Sequence, residues 1–381
     1  MATNNWTAVV IGAGWAGEGH TKALQHCGVE VAAICARKPE VVEAVAQNLG
    51  IPVASIDWRQ TLATVKPDIV SLGTPAILRA EVIEVATDMG CHILCDKPLA
   101  TNAAEARRLI EYVNKVEIKH AYASTDRYAP FVAWVSELIR DDTVGALQEI
   151  DIVMRTPAIT MLTPWGWIHD VASGGGLLNN QLTHILASLE RIMEGPWLQV
   201  MGEARHWDHQ APVIPDVHDI RQLLGKKLTT AQATQLEHRN CDADYAFSAL
   251  FQFASPISGE PDVRVNITKN YMLADLAQRN GWTFYGSSGT LVCEGAFPPS
   301  DLQLETPDSE PKMLPIPQRL QDAVPQVGDD TQSRWVALVQ DFVADILGVS
   351  HQPYPTFFDG WRYQEAIDAI RSGRGWFRLP S

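Results

Sequence analysis

The hydrophobic positions in the first third of the chain alternate between short apolar runs and stretches with helical spacing. The apolar runs predict buried strands, and the stretches with apolar residues three and four positions apart predict amphipathic helices. Regular alternation of the two predicts a parallel sheet covered by helices on both faces. The predicted strands are Thr7–Gly12, Val29–Cys35, Pro52–Ala54, Asp68–Leu72, His92–Cys95 and Ile118–Tyr122, and the predicted helices are Ala16–Cys27, Pro39–Leu49, Trp58–Val65, Leu78–Met89 and Asn102–Lys115.

A glycine-rich turn follows the first predicted strand and opens the first predicted helix. Gly12 allows a tight turn, Gly14 lets the backbone approach a pyrophosphate, and Gly17 lets the helix pack closely on the strand. The free N–H groups around Trp15 and Ala16 would face the phosphates. The turn predicts a Rossmann-type dinucleotide-binding unit, although the same glycines also suit a tight turn that holds no ligand.

The pattern changes after about residue 124, where longer segments rich in Trp and Thr carry apolar residues at alternate positions. Such segments indicate a large, mostly antiparallel open sheet. We therefore predict an α/β protein with a doubly wound Rossmann-type domain at 1–124 and an α+β domain at 125–381. Within the second domain we expect strands at Ala246–Ala254 and Val263–Lys269, mobile loops at His206–His218 and Phe297–Asp330, and closing helices at Trp335–Leu347 and Trp361–Ile370.

Composition and charge narrow the class of partner. A hydrophobic content of 46% and a charged content of 20% are typical of a globular protein. The net charge of −15 argues against nucleic acid and anionic membranes as partners. No stretch approaches the roughly 20 apolar residues that span a bilayer, so we expect a cytoplasmic protein. The six cysteines are scattered through apolar runs, which indicates reduced core residues and no metal site.

Several motifs occur in an order and spacing that resemble a known family. They are Gly12-x-Gly14-x-x-Gly17, Thr74-Pro75, Asp96-Lys97-Pro98, Gly174-Gly175-Gly176 with His184 eight residues on, Arg127-Tyr128-x-Pro130 and the closing Asp359-Gly…Glu365-Ala-Ile. Over nearly its whole length the chain resembles the glucose-fructose oxidoreductase and inositol dehydrogenase family (Gfo/Idh/MocA). The resemblance implies hydride exchange between a nicotinamide and a sugar or polyol, in a homodimer or homotetramer.

Two residues are the candidates for proton chemistry. Lys97, at the end of a predicted strand, can hydrogen-bond the substrate oxygen and stabilise developing alkoxide charge. His184 can serve as the general acid/base, because imidazole titrates near neutrality. The alternatives are a surface lysine and a buried structural histidine; the resemblance favours the catalytic interpretation of both.

Asn180 departs from the family pattern, which usually has an aspartate four residues before this histidine. Asn180 shares a helical face with His184 and can orient a hydroxyl group, but it cannot carry a negative charge. We therefore expect Lys97 to lack an anionic neighbour there, and His184 to lack carboxylate support. The departure leaves three functions open: a sugar or polyol oxidoreductase, a non-catalytic sensor of the same fold, and a glycosidase that uses nicotinamide transiently.

The predicted cofactor crevice includes Thr74, Pro75, Asp96 and Lys97 beside the glycine-rich turn, because ligands of such sheets bind beyond the carboxyl ends of the strands. The second predicted strand ends without the acidic residue that usually contacts the ribose hydroxyls of NAD. Arg37 and Lys38 stand there instead and could bind a 2′-phosphate. This favours NADP(H) over NAD(H).

The predicted substrate pocket adds aromatic side chains whose faces suit sugar C–H groups. Arg79 is interpreted as a solvated helix-surface residue near Glu81, with contact to a substrate carboxylate as the alternative. His169 and Asp170 are possible substitutes for the missing carboxylate. The expected pocket consists of Lys97, Arg127, Tyr128, Trp165, Trp167, Asn180 and His184.

Overall fold

The N-terminal part of the chain forms a six-stranded parallel sheet with the order β3-β2-β1-β4-β5-β6. In this computed structural model the described residues are 6–155, 162–215, 217, 219–226, 228–271, 280–295 and 302–379. The strands of this sheet are β1 (Thr7–Ile11), β2 (Glu30–Cys35), β3 (Val53–Ser55), β4 (Ile69–Leu72), β5 (His92–Asp96) and β6 (His120–Ala123), and its helices are α1 (Trp15–His26), α2 (Pro39–Leu49), α3 (Trp58–Val65), α4 (Ala80–Asp88) and α5 (Ala103–Val113).

Both faces of this sheet are buried, as the alternating pattern predicts. Val9 and Ile11 of β1 pack in one hydrophobic core, whereas Ala8 and Val10 pack in a second one. Side chains of a strand alternate between the faces, so the two cores lie on opposite sides of the sheet. The predicted strands and helices are confirmed, and their ends differ by no more than two residues.

The rest of the chain builds a nine-stranded sheet with the order β16-β15-β14-β13-β7-β12-β11-β8-β17. All neighbouring pairs are antiparallel except β7 and β12, which confirms the predicted mostly antiparallel sheet. The strands after β6 are β7 (Leu147–Arg155), β8 (Trp197–His206), β9 (His209–Pro212), β10 (His238–Cys241), β11 (Asp244–Phe253), β12 (Val263–Asn270), β13 (Gly281–Gly286), β14 (Thr290–Glu294), β15 (Gln303–Thr306), β16 (Ser309–Met313) and β17 (Phe377–Arg378).

The helices that follow β6 pack on both the six-stranded and the nine-stranded part of the protein. α11 returns to the first sheet and packs against α1, where a side chain at Gly19 would lie 2.0 Å from the ring of Trp335. α12 packs against α5, and its Asp368 carboxylate accepts a hydrogen bond from the Ala103 N–H at 2.7 Å. The helices are α6 (Pro130–Arg140), α7 (Thr183–Ile192), α8 (Ile220–Gly225), α9 (Thr230–Ala233), α10 (Gln318–Asp322), α11 (Asp330–Ile346) and α12 (Phe357–Ser372).

The two segments expected to be mobile loops contain regular structure. β9 lies within His206–His218 and pairs with β10 as a small separate sheet. β15, β16 and α10 lie within Phe297–Asp330, although 297–301 fall outside the described residues. The polar and proline-rich composition of Phe297–Asp330 hid β15 and β16, which pair with each other at the edge of the nine-stranded sheet. Among the described residues, no helix combines the length and apolar character needed to cross a membrane.

Candidate active site

The glycine-rich turn follows β1, the strand at which the order of the parallel sheet reverses. β2 lies on one side of β1 and β4 on the other. Gly12 has φ +117°, and a Cβ there would lie 2.7 Å from the backbone of Gly73 after β4. A Cβ at Gly17 would lie 1.8 Å from the carbonyl oxygen of Gly12. Only glycine tolerates both the positive φ and these close approaches. The turn therefore places the start of α1 against the carboxyl ends of β1 and β4, which is the switch point where ligands of such sheets bind.

Two polar features of this crevice fit a dinucleotide. The Thr74 hydroxyl is buried and has no hydrogen-bond partner among the described residues, and such an orphaned group is suited to a ligand. The N-terminus of α1 offers backbone N–H groups and a positive dipole end to a pyrophosphate. Pro75 precedes the short 3₁₀ turn Ala76–Leu78 and ends this wall of the crevice.

A carboxylate from the second unit occupies the start of α1. Asp219 Oδ2 accepts a hydrogen bond from the Trp15 N–H at 2.6 Å, and a Cβ at Gly14 would lie 3.5 Å from the same oxygen. Arg221 bridges Asp219 and Glu18 at 2.9 and 2.7 Å. Sequence reasoning missed Asp219, because its segment shows no motif and reaches the glycine-rich turn only through the tertiary fold.

The end of β2 carries the two basic residues predicted to contact a 2′-phosphate. Arg37 is exposed, and its side chain makes no hydrogen bond or ion pair with the described part of the chain. Lys38 is half-buried at the N-cap of α2. Ala16, in the first turn of α1, is half-buried beside the glycine-rich turn. The Arg37 guanidinium is thus available to an anion.

Lys97 follows β5, and its amine meets the segment before α7. Lys97 Nζ donates to Asn180 Oδ1 at 3.2 Å and lies 3.4 Å from the Asn180 carbonyl oxygen. The amide of Asn180 is oriented by its Nδ2, which donates to the Gly176 carbonyl oxygen at 2.8 Å. Asn180 lies in a π-helical turn, Leu178–Leu182, that leads into α7; such turns occur frequently at functional sites.

His184, in the first turn of α7, has a carboxylate neighbour that sequence reasoning missed. Asp126 Oδ1 lies 3.9 Å from His184 Nδ1 and 3.5 Å from the Arg334 guanidinium. The expectation that His184 lacks carboxylate support is therefore wrong: the carboxylate comes from the turn after β6 and not from position 180. Burial lowers the pKa of His184 to about 4, although Asp126 acts to raise it.

The contacts around His184 favour one tautomer of its ring. Ser124 Oγ donates to the Thr183 carbonyl oxygen at 2.8 Å and lies 3.5 Å from His184 Nδ1. Because the single hydroxyl proton is already donated, Ser124 can only accept from an Nδ1–H group. The Asp126 carboxylate also favours a proton on Nδ1. Neutral His184 consequently presents the lone pair of Nε2, the form required of a general base.

The prediction that Arg79 is a solvated surface residue is wrong. It is only 2% exposed, and its guanidinium donates to the carbonyl oxygens of Thr74, Asp96 and Pro98. Glu81 pairs instead with Arg59 of α3. The reason is geometric: the short 3₁₀ turn before α4 directs residue 79 inward, between the loops that follow β4 and β5.

Arg127 and Tyr128 line a different cavity from the one expected. The Tyr128 hydroxyl donates to Asp341 Oδ2 of α11 at 2.9 Å. Both residues border a cavity of about 790 Å³ between α6, α7, α10 and α11, and the described residues that line it do not include Lys97, Asn180 or His184. The 3₁₀ turn Thr125–Tyr128 turns Asp126 toward His184 and the next two residues toward this second cavity.

The tryptophan segment before the three glycines packs mainly on the small sheet. Trp165 Nε1 donates to the Asn240 carbonyl oxygen at 3.0 Å, and the ring packs against the small hydrophobic cluster that contains Trp207. Trp167 is half-buried in a 3₁₀ turn. His169 Nδ1 accepts from the Gly166 N–H at 3.1 Å, and Asp170 accepts from a serine hydroxyl. His169 and Asp170 thus make structural bonds here instead of replacing a carboxylate beside Lys97.

The arrangement of fold and site agrees with comparisons to known proteins. Residues 6–122 match the model described as "Oxidoreductase family, NAD-binding Rossmann fold", and residues 132–292 match the "GFO/IDH/MocA C-terminal domain". The chain belongs to the Gfo/Idh/MocA oxidoreductase family. The resemblance inferred from the sequence motifs is thereby confirmed. The chain has the fold of a nucleotide-binding oxidoreductase.

Relatives within the Gfo/Idh/MocA family include dehydrogenases of sugars. Levoglucosan dehydrogenase of Pseudarthrobacter phenanthrenivorans is 25% identical over 301 residues, 76% of this chain and 73% of the relative. D-xylose 1-dehydrogenase (NADP(+)) 2 of Haloferax volcanii is 32% identical over 128 residues, 34% of this chain and 39% of the relative. A solved levoglucosan dehydrogenase in complex with NADH and L-sorbose superposes with a TM-score of 0.80 at 19% identity, covering 99% of both chains, which shows the shared fold.

Proposed function

We propose that this protein is an NADP(H)-preferring dehydrogenase of a sugar, polyol or related cyclic alcohol, with Lys97 and His184 handling the proton. The observation that carries the proposal is the proximity of the two groups, since the charge of Lys97 acts on the pKa of His184. Lys97 is fixed by Asn180, and His184 faces Asp126, beside the switch point of the parallel sheet. The relatives named as sugar dehydrogenases support the substrate class.

The residues of the chain divide the work of alcohol oxidation. His184 Nε2 accepts the hydroxyl proton, while Asp126 stabilises the imidazolium that forms. The Lys97 ammonium hydrogen-bonds the same substrate oxygen and stabilises its developing negative charge. Nicotinamide, when bound, supplies the acceptor for the hydride that leaves the carbinol carbon. Asn180 holds the Lys97 amine in place and, being neutral, leaves the ammonium its full charge toward the substrate.

Burial and charge set the state of Lys97. Burial lowers its pKa, the carboxylates of Asp96 and Asp126 raise it, and Arg79 lowers it. An ammonium with a lowered pKa is a stronger hydrogen-bond donor to the substrate oxygen than an ordinary lysine.

A paired titration with NADPH and NADH tests the cofactor preference. Quenching of tryptophan fluorescence reports binding, and Arg37→Ala removes the exposed guanidinium at the end of β2. We expect tighter binding of NADPH than of NADH in the wild type, and a loss of about 10- to 100-fold in NADPH affinity in the variant, because a charge-assisted hydrogen bond contributes about 1.5–3 kcal/mol. NADH affinity should stay unchanged.

The matched control for this titration is Arg264→Ala, which removes an exposed arginine from β12 of the other sheet. It changes the net charge equally and should leave both affinities unaltered. Equal weakening by the two variants would mean that only net charge matters. Binding of neither nucleotide by the wild type would overturn the dehydrogenase proposal.

Asp219→Asn should tighten binding of both nucleotides several-fold. The carboxylate now accepts the Trp15 N–H bond, where it repels an incoming pyrophosphate and competes for the same donor. Asparagine keeps the shape and can still cap α8. The same fluorescence titration measures the change, and Asp308→Asn, at the exposed turn between β15 and β16, is the control for charge. Weaker binding by Asp219→Asn would instead make the carboxylate part of the binding site.

A further inference from the structure

Arg79 joins the two loops that border the crevice. Its Nε donates to the carbonyl oxygen of Thr74 at 2.8 Å. Its Nη1 donates to the carbonyl oxygens of Asp96 and Pro98, and its Nη2 donates to Thr74 and lies 3.4 Å from the carbonyl oxygen of Lys97. One guanidinium therefore holds the loop after β4 against the loop after β5.

We propose that Arg79 is a positioning residue that fixes the backbone of Lys97, so that the amine reaches Asn180 and the substrate oxygen. The inference rests on the proposed function for the catalytic meaning of Lys97. The positioning itself is a property of the two loops and can be measured without substrate.

The chemistry of arginine explains why this residue type fits the position. A guanidinium has five N–H donors in a rigid planar fork, whereas an ammonium has three donors and imidazolium two. Four backbone carbonyl groups converge on Arg79 from two separate loops. Among the described residues the nearest carboxylate oxygen, Asp96 Oδ2, lies 3.9 Å away, so the buried charge is solvated mainly by these carbonyl dipoles. Burial of a charge is costly unless its donors are satisfied, and the loops satisfy them only in this arrangement.

The outer side of the clamped loops is packed by the three-glycine segment. A Cβ at Gly174 would lie 2.7 Å from the Cβ of Ala76 and 3.7 Å from Cγ of Pro98. Gly174 itself has φ +84°. The glycine segment thus touches both loops held by Arg79 and then leads into the π-helical turn that carries Asn180. The positions of the Lys97 amine and of its partner Asn180 consequently both depend on the same pair of loops.

Loss of Arg79 should have two separable effects on Lys97. The charged and titratable groups around the amine are Asp96 and Asp126, which raise its pKa, Arg79, which lowers it, and His184 from α7. Removing the Arg79 charge should therefore raise the Lys97 pKa toward its ordinary value. Removing the guanidinium fork should free the loop after β5 and expose the Lys97 amine, whether or not the substituted side chain keeps a positive charge.

The experiment is the pH dependence of Lys97 acetylation by acetic anhydride, followed by mass spectrometry of the peptide that contains it. The midpoint of the profile reports the Lys97 pKa, and the plateau at high pH reports access to the unprotonated amine. We expect Arg79→Met to raise both, and Arg79→Lys to raise the plateau several-fold while leaving the midpoint near the wild-type value. Two controls separate the effects: Asn180→Asp should raise the midpoint alone, and Arg59→Met, an exposed arginine on α3, should change neither.

Thermal unfolding recorded on the same samples identifies the folded variants, and Arg79→Lys decides the matter if Arg79→Met does not fold. A wild-type plateau in folded Arg79→Lys would overturn the inference, since Arg79 would then only stabilise the fold. A raised plateau would support it. Failure of the proposed function is distinguishable, because absence of sugar oxidation by the wild type would leave the acetylation profiles of the variants unchanged.

Discussion

Replacing Lys97 by methionine should reduce turnover of a sugar or polyol substrate by about 100- to 1,000-fold, the usual loss when one donor to a developing oxyanion is removed. Methionine retains the length and apolar volume of the side chain but has no donor. Lys97 Nζ donates to Asn180, which lies in the π-helical turn that leads into α7. Nucleotide affinity should therefore stay near the wild-type value, and the loss should appear in kcat.

Steady-state rates of nicotinamide reduction, with nucleotide affinities from fluorescence titration, measure these two effects. Lys119→Met is the matched control, because Lys119 is half-exposed and pairs with Asp345 at 2.7 Å. It should leave both quantities unchanged. Wild-type turnover by Lys97→Met would remove Lys97 from the mechanism. A parallel loss of nucleotide affinity would show that the lysine binds the cofactor instead of polarising the substrate.

The parallel sheet could be predicted because its signals are local. Each strand is a short apolar run bounded by a helix start or a glycine, and Pro39 at the start of α2 and Gly50 at its end define that helix within the sequence itself. The strand order follows from the alternation of elements and the position of the glycine-rich turn. The strand order of the second sheet was harder to predict from the sequence, since β7 pairs with β12 and β13, more than a hundred residues away.

The site residues that belong to a sequence motif could be predicted. Those that only the tertiary fold brings to the site were missed. Lys97 and His184 follow recognisable motifs, and the structure brings Lys97 to Asn180. Asp126 has no motif; it meets His184 across 58 positions of sequence because the turn after β6 packs on α7. Asp219 reaches the glycine-rich turn from still further away.

Arg79 is a case in which a local signal was present but outweighed. It precedes the buried positions Val82, Ile83 and Ala86 of α4 by three, four and seven residues, the spacing of one helical face. This spacing indicates an inward direction. The nearby Glu81 suggested a surface ion pair instead, because a charged side chain is seldom fully buried. Carbonyl groups of two loops, invisible in the sequence, make that burial acceptable.

Replacing His184 by glutamine should lower the rate of alcohol oxidation by about 100- to 10,000-fold, the range typical of a lost general base. Glutamine can still hydrogen-bond but cannot accept the proton. Because burial lowers the pKa of His184 to about 4, the base form is already complete at neutral pH. The wild-type rate should therefore show no acid limb near the ordinary histidine pKa, and should fall only as the pH approaches 4 and the imidazole becomes protonated.

The pH dependence of kcat between about pH 3 and 8 checks this sign directly, and Asp126→Asn extends the test. The Asp126 carboxylate raises the pKa of His184, so its neutralisation should shift any acid limb to still lower pH and reduce the rate by weakening the base. His26→Gln, at the C-terminus of α1, is the control and should behave as the wild type. A limb near pH 6.5 that disappears in His184→Gln would contradict the burial of this base. An unaltered rate in His184→Gln would assign the proton to another group, and Lys97 would then be the first candidate.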